Sequence, residues 1–203
     1  MQHKQRFTNV TLVTPYGEVD NDLLIDGDKI VDILDPSENI SDDWKIIDGQ
    51  NNFIFPGMID VLQHGFLNYL YGHAEENCTV DNSKILPSVG VTGFLPSTPC
   101  LPPEKTKTLL NALSNDIDKA KEGARVLGIH SEGPCFALPG AHNPKNLRDP
   151  SVSLAEELLD ACQGKLKALT LAPEMNGSEE FIKRLKKEKI SIHLGHSGAN
   201  PID

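Results

Sequence analysis

Gly128-Ile129-His130-Ser131-Glu132-Gly133-Pro134 is the stretch on which the reading of the fold turns. A short apolar run, Val126 to His130, leads to a carboxylate and then to Gly133 and Pro134, which enforce a turn. Side chains along a strand alternate between two faces, so His130 and Glu132 share one face and Glu132 comes last, at the strand's end. Barrel enzymes place their chemistry at that end of their strands. A Glu in a loop is more often an ordinary surface group, and His130 reads as a hydrogen-bonded inner residue rather than a ligand.

Working outward, short apolar runs recur at Ile54 to Val61, Val91 to Pro96, Ala168 to Ala172 and Ile190 to Gly195. Helical stretches separate them, the pattern of βαβ construction around a parallel sheet. From Pro103 to Glu122, the residues Leu109, Leu113, Ile117 and Ala120 fall on one helical stripe, with Gly123 as its stop. Ser153 with Glu156 fits a capping box, and Ser178 precedes a helix ending in Lys186, Lys187 and Lys189. Before Phe53 the runs Phe7 to Val13, Asp22 to Asp26 and Lys29 to Leu34 read as strands, with a tight turn at Asp26-Gly27-Asp28. The expectation is an α/β protein: a small β unit over residues 1–52, then the first part of a (β/α) barrel over 53–203. Roughly five strands are counted where a closed barrel needs eight, so the chain reads as cut short. An open doubly wound sheet would fit the length, but no G-x-G-x-x-G follows the first strand.

Composition narrows the partners. The 203 residues are 38% hydrophobic and 24% charged, an ordinary globular balance. A formal net charge of -10 excludes nucleic acid and anionic membrane as expected partners, since both require a positive field. Residues Met1 to Val10 carry no secretory apolar stretch and no run is long enough to cross a bilayer, so the expected location is the cytoplasm. Cys78, Cys100, Cys135 and Cys162 are scattered without a C-x-x-C pair, which points to reduced thiols.

Three further clusters accompany Glu132. In Ile192-His193-Leu194-Gly195-His196-Ser197, strand alternation groups Ile192, Leu194 and His196 and turns His193 toward the helices, making His196 the candidate ligand. A carboxylate and an imidazole suit Zn²⁺, with Fe²⁺, Mn²⁺, Co²⁺ and Ni²⁺ also compatible. Two ligands fall short of the usual set of about three protein donors plus water. In Pro56 to Gly65, Leu62 and His64 share a face at the end of the first barrel strand. Gly140-Ala141-His142-Asn143-Pro144 is a polar loop with Lys145 and Arg148 nearby, which could grip an anionic or hydroxyl group.

In this order the segments P-G-M-I-D, G-V-T-G-F-L-P-S-T, G-I-H-S-E-G-P, G-A-H-N-P, L-A-P-E-M and G-H-S-G-A-N resemble the N-acetylglucosamine-6-phosphate deacetylases of the amidohydrolase superfamily. The resemblance runs through nearly the whole chain. It implies a (β/α)8-type metal-dependent hydrolase barrel, truncated here, with a small N-terminal β-sandwich unit, and hydrolysis of the acetamide of an N-acetyl amino sugar phosphate. It implies Glu132 and His196 as metal ligands, and Ala141, His142 and His64 as substrate contacts. One divalent ion, Zn²⁺ first, is the implied cofactor, and a homo-oligomer is expected.

Three departures qualify this. Leu62 stands where many superfamily members carry the first His of H-x-H, which favours one metal over two. The family's further metal-binding His, anion-binding Arg and catalytic Asp lie on later strands, and the chain stops at Ile202-Asp203, so no catalytic acid or base is assigned within it. The loop from Glu132 to His142 is also shorter than in the family. A galactosamine-type deacetylase or a dihydroorotase is the alternative within the class. Outside it stands a non-catalytic remnant, a half-barrel that binds a metal or partner without turnover.

Overall fold

At Phe55-Pro56-Gly57 the run read above as one strand breaks. Pro56 has no N–H for a ladder, and a Cβ on Gly57 would lie 2.1 Å from Thr92 Oγ1. The chain divides at this point into two compact units, Met1–Pro56 and Gly57–Asp203. The computed structural model describes residues 4–73 and 77–200, so the chain end at Ile202-Asp203 lies outside the described residues.

The first unit is a five-stranded sheet of β1 (Lys4–Thr14), β2 (Gly17–Val19), β3 (Asp22–Asp26), β4 (Lys29–Leu34) and β5 (Lys45–Ile54). β1 runs antiparallel to β2 and β3 and parallel to β5. Asp26 pairs with Lys29 across a two-residue turn whose Gly27 has φ 63°, the left-handed geometry that glycine adopts freely. Val10, Leu12 and Leu23 form its small core. Beside them Asp22 accepts from Arg6 Nε, and the rest of that guanidinium donates to the carbonyls of Glu38 and Pro36.

The second unit is built on parallel strands: β6 (Met58–Gln63), β9 (Val91–Thr98), β10 (Arg125–Val126), β11 (Ile129–Glu132), β12 (Leu166–Leu171) and β13 (Ser191–Leu194). A two-stranded hairpin of β7 (Gly65–Phe66) and β8 (Tyr69–Leu70) follows β6. β6 pairs with β9, and the order continues through β11 and β12 to β13. β10 and β11 lie end to end along the same side of β9. They are interrupted at Gly128, whose φ is 144° and where a Cβ would meet Lys167 Cγ at 2.2 Å.

Helices α1 (Cys78–Ile85), α2 (Pro103–Lys119), α3 (Val152–Ala161) and α4 (Ser178–Lys187) supply one side of the core. Leu109, Leu113, Leu154, Leu158, Phe181 and Leu185 pack there with Phe94, Ile129, Leu169 and Leu171 from the strands. This is the layering of part of a (β/α) barrel. The four cysteines are buried and none is in a disulfide. No helix among the described residues is long and apolar enough to cross a membrane.

Several local readings shift. Ser151, not Ser153, caps α3 by accepting from Leu154 N, and Glu156 instead pairs with Arg184. Ser178 is the first residue of α4 rather than its cap, and its hydroxyl donates to Ala172 O. Gly123 lies beyond the α2 cap, Ala120; its role is close approach, since a Cβ there would sit 2.0 Å from Ser83 O.

Candidate functional site

Glu132 ends β11, and its side chain is only 11% exposed. The chain turns away behind it because Gly133 has φ 90° and carries no Cβ, which would press on Cys100 Sγ at 2.5 Å. Three imidazoles converge on the carboxylate. His64, just past β6, places Nε2 3.2 Å from Glu132 Oε2. His142, from the loop after β11, places Nε2 3.4 Å from the same oxygen. His196, just past β13, places Nε2 3.5 Å from Oε1. One ligand atom each from Glu132, His142 and His196 falls within 4.8 Å of the others. These residues and Ala141 line one cavity of about 480 Å³, walled by Leu70, Gly72 and Pro99.

Burial alone would raise the Glu132 carboxyl, but the His64 hydrogen bond and the nearby imidazoles outweigh it and hold it below the ordinary carboxylate range. The Glu132 hydrogen bond conversely raises His64. Burial lowers His142, which favours its neutral form.

Strand alternation misplaced His193. In the register of β12 with β13, Thr170 pairs with His193, and Thr170 Oγ1 contacts His130 Nε2 at 2.8 Å. His193 therefore lies on the inner face, its ring edge-on to His130 with centroids 4.8 Å apart, while Ile192 packs into the helix-side core. Alternation cannot be carried to His196, because β13 ends at Leu194 and His196 has φ 53°. A turn, not the strand, delivers it. His130 is buried and hydrogen-bonded to Val61 O through Nδ1, an inner residue. Arg148 is not free to grip an anion: both its terminal nitrogens meet the Glu157 carboxylate at 2.7 Å.

No protein-family model matches the chain. The N-acetylglucosamine-6-phosphate deacetylase of Rattus norvegicus is 31% identical over 207 residues, covering 96% of this chain and 49% of that protein. The chain is a relative of the N-acetylglucosamine-6-phosphate deacetylases. The N-acetylgalactosamine-6-phosphate deacetylase of Escherichia coli O157:H7 is 33% identical over 112 residues, 54% of this chain and 30% of that protein. The structure of the N-acetylglucosamine-6-phosphate deacetylase from Pasteurella multocida matches with a TM-score of 0.83 and 27% identity, over 97% of this chain and 52% of that one. The chain thus spans about half the length, or less, of the curated deacetylases it matches.

In this deacetylase relative the group behind each ring sets its tautomer. His64 Nδ1 faces Ser97 O at 3.2 Å and His196 Nδ1 faces Leu138 O at 3.1 Å. A carbonyl only accepts, so each Nδ1 carries a proton; without an ion the protonated His64 donates from Nε2 to Glu132, and in the neutral ring of either residue Nε2 keeps a lone pair that a cation could take. His142 is the reverse. Its Nδ1 accepts from Cys100 N at 3.4 Å, so in the neutral ring Nε2 carries the proton and donates. Three residues close in space therefore differ in kind: two can donate a lone pair to a cation, and one can donate a hydrogen bond. No sequence motif marked Cys100, Ser97 or Leu138, because each acts through its backbone.

Proposed function

We propose that the chain forms the metal-binding part of an amidohydrolase that removes the acetyl group from an N-acetyl amino sugar phosphate. N-acetylglucosamine 6-phosphate would give glucosamine 6-phosphate and acetate. The observation that carries this is the convergence of Glu132, His196 and His64 at the strand ends of a deacetylase-like fold. Glu132 and His196 would hold one divalent ion, and the tautomer of His64 adds it as a third donor in place of the substrate contact read from sequence. The mixed nitrogen and oxygen set suits Zn²⁺, with Fe²⁺, Mn²⁺, Co²⁺ and Ni²⁺ compatible. Such an ion, when bound, polarises a carbonyl and yields hydroxide at neutral pH.

The rest falls to the chain's own groups. His142 Nε2–H would donate to the acetamide oxygen, held in that tautomer by the Cys100 amide, while Ala141 leaves room beside it for the sugar. No lysine or arginine among the described residues lines this cavity. The cation for a substrate phosphate and the catalytic Asp are assigned to the part of the family's length that this chain does not span. The galactosamine epimer is the variant that the Escherichia coli relative suggests. Buried cysteines outside any disulfide fit a reducing compartment such as the cytoplasm. A homo-oligomer is the proposed assembly.

A second reading is a half-barrel that binds metal without turnover. It is favoured by the cavity lining, in which Glu132 is the lone carboxylate among the described residues. Elemental analysis after dialysis against Zn²⁺ should find one equivalent, lost in His196→Gln and retained in His193→Gln. Equal loss in both variants would remove the site assignment. An acetate-release assay on N-acetylglucosamine 6-phosphate separates the two readings: turnover supports the first, and a loaded but inert chain the second.

A further inference from the structure

The loop between Glu132 and His142 does more to His196 than pass near it. The Phe136 ring lies over the His196 imidazole with centroids 4.0 Å apart and planes tilted by 18°. Leu138 O holds the Nδ1 proton of that imidazole. The His196 carbonyl is gripped as well, by Ala137 N at 3.1 Å and Leu138 N at 2.8 Å. Gly140 fits against the ring edge because it has no Cβ; one would stand 2.9 Å from His196 Cε1. His196 itself has φ 53°, a conformation that costs a side-chain-bearing residue free energy and persists only where its surroundings hold it. Phe136 is buried at 2% exposure, so its ring plane is fixed by packing rather than free to follow the histidine. Its other ring contact is His142, tilted by 44° with centroids 5.2 Å apart.

We propose that Phe136 is a positioning residue, whose ring sets the plane of His196, and secondarily of His142, so that His196 Nε2 points at the cation site on Glu132. This rests on the reading of His196 as a ligand. Hydrogen bonding to Leu138 O fixes which nitrogen carries the proton but leaves the ring able to swing about that bond. A stacked aromatic face removes that freedom. The loop thereby couples the two ends of the site: the segment that follows Glu132 orients the ligand that arrives from β13.

The test uses Co²⁺ with the full 203-residue chain, read by its visible absorption and by titration. Phe136→Leu, which keeps an apolar side chain but no ring face, should weaken Co²⁺ about tenfold and change the ligand-field bands. Phe136→Tyr should restore both. A folded Phe136→Leu with unchanged affinity and spectrum overturns the proposal. If that variant does not fold, Phe136→Met takes its place under the same criterion. In the unsubstituted metal-free chain, nuclear Overhauser contacts should join the Phe136 ring protons to His196 Hε1, and their absence also overturns it. A wild-type chain that binds no Co²⁺ while keeping those contacts refutes the metal reading instead, so the two failures are distinguishable.

Discussion

Gly140→Ala offers a close test of how tightly the site is built. Two costs can be separated. The backbone at Gly140 has φ 56°, and a residue with a Cβ in that region loses about 1–2 kcal/mol. The new methyl would also stand 2.9 Å from His196 Cε1, closer than real Cβ atoms come, and a tight 3.1 Å from Nδ1, so the imidazole must move. Gly164→Ala supplies the control. Gly164 has φ 77°, and a Cβ there meets nothing within 4 Å, so it carries only the backbone cost. Both variants should lose about 2–8 °C of melting temperature, from ~2–4 °C per kcal/mol for a chain of this size. Only Gly140→Ala should also lose Co²⁺ affinity, by about tenfold, because it displaces a ligand held by its neighbours. Calorimetry and Co²⁺ titration of both variants decide. Unchanged affinity in Gly140→Ala would show that His196 is not seated against this loop, and equal losses of affinity in both would show that the effect is strain alone.

His64→Gln should weaken Co²⁺ while His142→Gln keeps one equivalent, because only the first removes an imidazole nitrogen whose lone pair a cation could take; elemental analysis showing the opposite order would refute the tautomer reading. Glu157→Gln should cost about 0.5–1 kcal/mol, a small figure since both partners are about a third exposed and screened. Arg148 holds the Glu157 carboxyl below its ordinary value of 4.5, so the difference between wild type and variant should be full above about pH 4.5 and shrink as pH falls through the lowered value. Melting curves whose difference is independent of pH would count against that pair. Burial pushes the thiols of Cys100, Cys135 and Cys162 up to about 12, so at pH 8 the native chain should react slowly with a thiol reagent and the denatured chain rapidly. Fast labelling of native protein would mean that the core is open.

Turn chemistry made the first unit partly legible. Gly27 and the apolar runs beside it mark β3 and β4 because a two-residue turn has few ways to be made. β5 was not among the expected strands: its Gly49, Gln50, Asn51 and Asn52 carry no apolar alternation, and Gln50 and Asn51 take positive φ within a strand whose pairing to β1 is bulged between Thr8 and Val10. α1 escaped for a related reason. Its buried residues are Cys78, Thr79, Asn82 and Ser83, so it has no apolar stripe to reveal its period. What held one helix in place was polar contact, as when Ser83 Oγ donates to Ala124 O.

The candidate site divides along the same line. Which residues meet was readable, since Glu132, His142, His196 and His64 each stand at a strand end or in the loop after one, and such ends converge in this architecture. What each residue can do was not. The difference between a ligand and a hydrogen-bond donor depends on whether the atom behind the ring is a carbonyl, as at Ser97 and Leu138, or an amide, as at Cys100. Those groups occur in nearly every residue, so no residue type announces them. The same holds for His196, which sequence alternation reached for the wrong reason: it meets Glu132 because the strand ends at Leu194 and a left-handed residue turns the chain inward. Had β13 continued regularly, the face shared with Leu194 would have carried that imidazole toward the helix side, and His193 would have remained the histidine on the inner face.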